Sequence, residues 1–274
     1  MGKIKLLACD LDGTLMDRGC RITATDADAL KRAKTSGVCI AVCTGRATQH
    51  LPMSVRALDF IDYRITSNGA RVFDVRGEKC LLLRPMPVET AVEVVRRLAP
   101  CGAAFNLHYD GYDLADDRNL RMQKGYGDGK GFMPQDLIVK SGPDILTLMA
   151  GEQAPPLKML ILFDTQAACS QAERALDGMQ GIELTTSFSR TLEITAAGVR
   201  KDVALAWLCA RLRIPLSDIA AVGDSDNDAE MLRLAGFGVA MGAASPGAKA
   251  AADYVTGDLA DGGFVRAAEK ILSL

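Results

Sequence analysis

Histidine is nearly absent. The 274 residues include two, His50 and His108, far apart in the chain. A histidine-based zinc site or a Ser-His-Asp triad is therefore poorly supplied. Eight cysteines stand at 9, 20, 39, 43, 80, 101, 169 and 209, and none forms a CxxC pair. Several lie in apolar, strand-like runs, so the expectation is reduced core thiols rather than disulfides or zinc. No apolar run approaches the ~20 residues that span a membrane. Gly2-Lys3-Ile4-Lys5 leads straight into the first strand, with no sign of a signal peptide. Together these features give the expectation of a cytoplasmic protein. The formal net charge is −2, so there is no basic surplus to suggest nucleic acid as a partner. No internal repeat is evident.

Familiar ligand-binding motifs are also missing. Asp224-x-Asp226-x-Asp228 begins like a calcium loop, but Ala229 and Ala235 stand where an EF-hand needs glycine and glutamate. A P-loop ending at Gly129-Lys130 lacks its first glycine, which is Lys124, and its Ser/Thr, which is Gly131. Gly236-Phe237-Gly238 precedes a strand instead of following one, unlike a dinucleotide turn.

Buried strands and carboxylates are what the chain does have. Ile4-Lys5-Leu6-Leu7-Ala8-Cys9 is mostly apolar without strict alternation, as in a strand covered on both faces. Thr25-Asp26-Ala27-Asp28 reads as a capping box opening a helix to about Thr35. Val38 to Cys43 and Tyr63 to Thr66 read as further strands, with a helix between them limited by Pro52. This alternation predicts an α/β fold with a parallel sheet and right-handed crossovers. The texture changes near Arg84-Pro85-Met86-Pro87. A helix over Val88 to Ala99 follows, then hairpins over 105–115 and 182–195, with a strand over 157–163 and a helix over 166–179 between them. The Gly-rich stretch 125–131 reads as either a mobile rim or a simple loop. The first texture returns at Lys201, with a strand at Ile219 to Gly223, another at Phe237 to Met241 and a last helix near 263–272. The expected organisation is thus a Rossmann-like core from residues 1–84 and 196–274, split by an inserted α+β domain at 85–195. A cleft between two such domains is a natural ligand site.

Two acidic clusters follow two of the buried strands. Asp10 and Asp12, two apart on extended backbone, point the same way. Asp224, Asp226 and Asp228 follow Gly223. Ligands of open α/β sheets sit beyond the carboxyl ends of strands, and an oxygen-rich set there suits Mg²⁺. With a metal to offset charge repulsion, Asp10 is a credible nucleophile toward a phosphate, forming an aspartyl-phosphate. Asp12 would protonate the leaving oxygen and later activate water. Thr44 would donate to a phosphate oxygen, and Lys201, opening a helix, would bring both ammonium and helix dipole to the anion.

These residues together resemble the haloacid dehalogenase (HAD) superfamily of phosphatases, and within it the Cof-like (IIB) group with its large cap. The matching pieces are Asp10-Leu11-Asp12-Gly13-Thr14-Leu15, Thr44-Gly45-Arg46 followed by Ser67-Asn68-Gly69-Ala70, Lys201, and Gly223-Asp224-Ser225-Asp226-Asn227-Asp228. They occur in order across essentially the whole chain. The resemblance implies a Mg²⁺-dependent phosphatase of small phosphate monoesters, such as sugar phosphates or pyridoxal phosphate. It implies metal contacts from Asp10, Asp12 (through its carbonyl), Asp224 and Asp228, and phosphate contacts from Thr44, Gly45, Lys201 and Asn227. Asp226 stands at a variable position. Arg46, Ser67 and Asn68 are candidates for either substrate contact or local structure. In the insert, His108, Tyr109, Tyr112, Arg118, Arg121 and Lys124 are candidates for recognising the leaving group. Two departures stand out: Asp202 where the family usually has glycine, and Ala243 where asparagine usually follows Met-Gly. Two alternatives stay open: a phosphosugar mutase or phosphotransferase of the same superfamily, or a sensor that binds a phosphorylated ligand without turnover. Oligomeric state is not legible.

Overall fold

The computed structural model describes residues 4–123, 136–186 and 189–274. Lys124, the stretch 125–131 and Phe188 lie outside the described residues. The strands in chain order are β1 Leu6–Cys9, β2 Cys39–Cys43, β3 Tyr63–Thr66, β4 Arg71–Asp74, β5 Lys79–Leu83, β6 Ala104–His108, β7 Asp113–Asp116, β8 Val139–Gly142, β9 Lys158–Leu162, β10 Ile182–Thr185, β11 Thr191–Ala196, β12 Ile219–Gly223, β13 Phe237–Ala240 and β14 Tyr254–Val255. They form two sheets in two compact units.

The first unit comprises Met1–Arg46, Leu51–Leu82 and Arg200–Leu274. Its sheet runs β14-β13-β12-β1-β2-β3-β4-β5. From β14 to β3 every pairing is parallel. The order shows why the acidic clusters meet. From β1 the chain steps outward to β2 and β3; from β12 it steps the other way, to β13 and β14. The adjacent β1 and β12 are therefore a topological switch point, where the carboxyl ends of strands open a crevice. In register, Cys9 lies beside Val222 and Val42, which puts Asp10, Asp224 and Thr44 at one edge of the sheet. Leu6 to Cys9 and Ile219 to Gly223 are buried throughout. That explains their unbroken apolar runs: helices cover both faces.

The sheet differs from expectation on one side. β4 is antiparallel to β3, and β5 completes the edge beyond it. Their residues are half-exposed and mixed, so they lack the buried-strand signature. The first helix also starts earlier than read: it spans Ala24–Thr35 with Thr23 as N-cap, whose hydroxyl accepts from Asp26 N at 3.1 Å. The capping sequence is therefore Thr23-x-x-Asp26, two residues upstream of the expected box.

The second unit comprises Ala47–His50 and Leu83–Val199. Its sheet runs β10-β11-β9-β6-β7-β8, antiparallel except between β7 and β8. Helices Val88–Leu98 and Gln166–Leu176 contribute Val94, Leu98, Cys169 and Ala172 to its core. Alternation along the strands places Phe105, Leu107, Leu114, Met159, Ile161, Leu192 and Ile194 in that core. The inclusion of Ala47–His50 is not visible in the sequence. Gln49 donates to Tyr109 O, Tyr112 O and Asp113 Oδ1, at 3.1, 3.1 and 2.8 Å, which fastens the segment to this unit. All eight cysteines are free.

Candidate active site

Each residue of the first acidic cluster is placed by its loop. After β1 the chain turns tightly: the amides of Thr14, Leu15 and Met16 all donate to Leu11 O. Gly13 sits at φ +84°, and a Cβ there would lie 2.5 Å from Asp224 Oδ2. Only glycine combines that backbone with so close an approach. Thr14 Oγ1 donates to Asp224 Oδ1 at 3.1 Å, so the first loop also orients a carboxylate from the second cluster.

Spacing in Gly223-Asp224-Ser225-Asp226-Asn227-Asp228 has a similar logic. Asp228 Oδ2 accepts from the backbone N–H of Asp224 and Ser225, at 3.1 and 3.0 Å. Ser225 caps the turn reciprocally. Asp228 is therefore folded back under the loop, with its Oδ1 left to meet Lys201. Asp226 is engaged elsewhere, accepting from Ser245 Oγ at 2.6 Å.

Lys201 opens the helix Lys201–Leu212 and is 2% exposed. Its Nζ donates to Asp10 Oδ1 and Asp228 Oδ1, both at 2.8 Å, and to Asn227 Oδ1 at 3.5 Å. Asn227 Nδ2 donates to Asn68 Oδ1 at 3.4 Å, and Asn68 N donates to Thr44 O at 3.1 Å. Thr44, fully buried, accepts from Arg46 N through its hydroxyl. Thr44, Asn68, Asn227, Lys201 and Asp10 thus form one continuous hydrogen-bonded path. Ser67, Asn68 and Gly69 all have positive φ. A Cβ on Gly69 would lie 2.4 Å from Arg200 O, so this turn packs directly under the start of the lysine helix.

Arg46 is paired with the first acidic cluster. Its Nε and Nη2 donate to the two oxygens of Asp12, both at 2.7 Å. This bidentate clamp holds Asp12, whose side chain is 36% exposed, apart from the buried acids. Asp202 is turned aside in the same way, accepting two bonds from Arg200. Ala243 is exposed on a turn closed by Ala244 N to Met241 O.

Carboxylate oxygens of Asp10, Asp224 and Asp228 lie within 4.8 Å of one another. Asp10 is 4% exposed and Asp228 is fully buried. Burial pushes the Asp10 carboxyl well above its ordinary range; Lys201 opposes this, while Asp228, Asp224 and Asp12 add to it. Burial and Asp228 push Asp224 up to about 6. Burial disfavours the Lys201 ammonium, yet Asp10 and Asp228 overcome that and raise its pKa. Three crowded carboxylates thus face one ammonium, a deficit of positive charge. A hard divalent cation fits the set, since every donor is oxygen. Asp10, Asp224 and Asp228 would supply its side-chain ligands.

Among the insert candidates, His108 is buried, and Tyr112 stacks on Tyr109 with its hydroxyl donating to Glu152 at 2.6 Å. Arg118 is paired with Asp164. Thr14 and Ser225, which orient Asp224, are absent from the sequence-derived site; a hydroxyl beside an acidic motif carries no distinguishing signal.

The match to known proteins agrees with this geometry. Residues 7–267 match the family model of haloacid dehalogenase-like hydrolases, and the chain belongs to that family. More particularly, it is a phosphatase of the Cof-like (IIB) group. It is 26% identical over 270 residues to the 5-amino-6-(5-phospho-D-ribitylamino)uracil phosphatase YcsE of Bacillus subtilis, covering 96% of this chain and 94% of that protein. It is 30% identical over 248 residues to the HMP-PP phosphatase of Yersinia pseudotuberculosis, covering 88% and 85%. Among solved structures it resembles the HAD subclass IIB sugar phosphatase BT4131, with a TM-score of 0.83 and 25% identity, covering 97% of this chain and 98% of that one.

Proposed function

We propose that this chain is a Mg²⁺-dependent phosphatase that hydrolyses small phosphate monoesters through an aspartyl-phosphate on Asp10. The constellation of Asp10, Asp224 and Asp228 around Lys201 carries the reading. When bound, the metal ion neutralises charge between nucleophile and phosphate and orients the phosphoryl group. Lys201 holds Oδ1 of Asp10, leaving Oδ2 to attack phosphorus. The new Asp10–phosphorus bond forms as the ester P–O bond breaks, and the leaving oxygen takes a proton from Asp12. Asp12 then takes a proton from water, which attacks phosphorus, freeing inorganic phosphate and regenerating Asp10. Thr44, Gly45, Lys201 and Asn227 hold the phosphate. Arg46 donates one bond to each oxygen of Asp12, which orients the carboxylate and leaves a lone pair on each oxygen for the proton transfers.

The substrate in this reading is a small soluble phosphate of the cytoplasm. Relatives are named for such compounds: a ribitylaminouracil phosphate, HMP-PP, and pyridoxal phosphate for YbhA of Escherichia coli. No described helix is long and apolar enough to cross a membrane. The residues assigned above recognise only phosphate and metal. Phosphate release from a panel of sugar phosphates, nucleotides and cofactor phosphates, with Mg²⁺ or EDTA, tests this. Release that requires Mg²⁺ and fails in Asp10→Asn is expected. Transfer to an added sugar in place of water would overturn the hydrolase reading in favour of a phosphotransferase.

A further inference from the structure

The two histidines of the chain meet. His50 lies in the segment Ala47–His50 and His108 ends β6, both within the second unit. Their ring centroids are 4.5 Å apart and nearly perpendicular. Between them stands Asp113, which opens β7 directly across from His108. His50 Nε2 is 2.8 Å from Asp113 Oδ2, and His108 Nε2 is 3.9 Å from the same oxygen. All three residues are buried, His108 to 1% and Asp113 to 0% exposure.

Three observations give this cluster the form of a ligand set. One nitrogen from each ring and one Asp113 oxygen lie within 4.8 Å of one another. Ligand atoms around a tetrahedral zinc ion stand about 3.3 Å apart, so the 2.8 and 3.9 Å separations bracket that value. Next, both ring nitrogens of His108 lack a hydrogen-bond partner among the described residues. A fully buried imidazole with neither nitrogen engaged is rare and calls for a ligand. Finally, Asp113 is oriented as metal-binding carboxylates are: Gln49 donates to its Oδ1 at 2.8 Å and Asn106 to its Oδ2 at 3.0 Å. The nearby cation Lys158, paired in register with His108, is offset by Glu193 at 2.9 Å.

We propose that His50, His108 and Asp113 form a second metal site, selective for a borderline transition ion such as Zn²⁺ and separate from the all-oxygen acidic cluster. Two imidazoles and one carboxylate suit zinc, with a fourth position for water, whereas Mg²⁺ prefers oxygen alone. The sequence hides the site because His50 lies far along the chain from the hairpin that carries His108 and Asp113.

The direct test is zinc X-ray absorption on tag-free, full-length protein. The protein is stripped with chelator, then given half an equivalent of Zn²⁺ in excess Mg²⁺. The expected spectrum shows two imidazoles per zinc, with Zn–N near about 2.0–2.1 Å and no sulfur. The chain has only two histidines, so two imidazoles identify the site without ambiguity. Fewer than two, or sulfur scattering, would overturn the proposal. Calorimetry adds a second check: His108→Phe and Asp113→Asn should each weaken zinc binding about a hundredfold or more. Unchanged affinity in folded variants would equally overturn it. If either variant fails to fold, the wild-type spectrum decides.

Discussion

Asp10 and Asp12 are adjacent in motif but not in environment. Asp10 is sealed beside Lys201 and two other acids, while Asp12 is held at the rim by Arg46. In the proposed mechanism this asymmetry would separate nucleophile from proton carrier, and it predicts different kinetic failures. Asp12→Asn should lower kcat by about 10²–10⁴, the usual share of proton transfer, with KM little changed; steady-state kinetics on the best panel substrate checks this. Lys201→Met should destabilise the metal-free protein by about 3–5 kcal/mol, because it strands buried carboxylates without their cation. A denaturant titration reads that loss, and no change would mean the acids are protonated without their lysine. At this scale the sequence was informative where chemistry repeats in motifs. The Asp-x-Asp pair, Thr44, Lys201 and the second acidic cluster all stand out in the sequence, and the fold brings Asp10, Lys201, Asp224 and Asp228 together. The partner of Arg46 was not legible, since it lies 34 positions away. Nor was the meeting of His50, His108 and Asp113, because no local pattern encodes contacts made by a folded sheet.

Single turns carry the geometry at the scale of elements. The left-handed run Ser67-Asn68-Gly69 ends β3 and packs its glycine against Arg200 O, just before Lys201. Gly69→Ala should therefore cost more than about 1 kcal/mol in stability, from backbone strain and steric overlap. It should also lower activity by displacing the lysine helix. Circular dichroism should show an unchanged fold at lower melting temperature. Full activity would mean that the turn does not set the position of Lys201. Fully buried strands such as Leu6–Cys9 and Ile219–Gly223 were legible from composition, because burial on both faces leaves unbroken apolar runs. The hairpin of β4 and β5 was not, because its half-exposed residues alternate weakly. The start of the first helix was misplaced by two residues, since Thr23 and Thr25 are both competent caps and it is Thr23 that exchanges hydrogen bonds with Asp26.

For the molecule as a whole, the proposed metal at the acidic cluster should link stability to Mg²⁺. Mg²⁺ binding only the folded state should raise the melting temperature in proportion to the logarithm of its concentration. At a hundred times Kd the gain is about 2.7 kcal/mol. Asp224→Asn should flatten that response while leaving the fold intact. A response equal to wild type would place the ion elsewhere. The shift of texture at Pro85 and Pro87 and its return by Lys201 fall close to the limits of the second unit at Leu83 and Val199. That Ala47–His50 belongs to the second unit was not legible, since the glutamine and histidine that fasten it resemble any polar turn.

The most direct measurement is rapid acid quench of turnover followed by mass analysis of the peptide bearing Asp10. Asp12→Asn is the protein of choice with an aryl phosphate, whose leaving group needs no proton, because the intermediate then still forms while its hydrolysis is slowed. With Mg²⁺ and a good substrate, Asp10 should gain one phosphoryl group, and with EDTA it should gain none. Phosphate release by the wild type with no label on Asp10, or with label on another residue, would contradict the account.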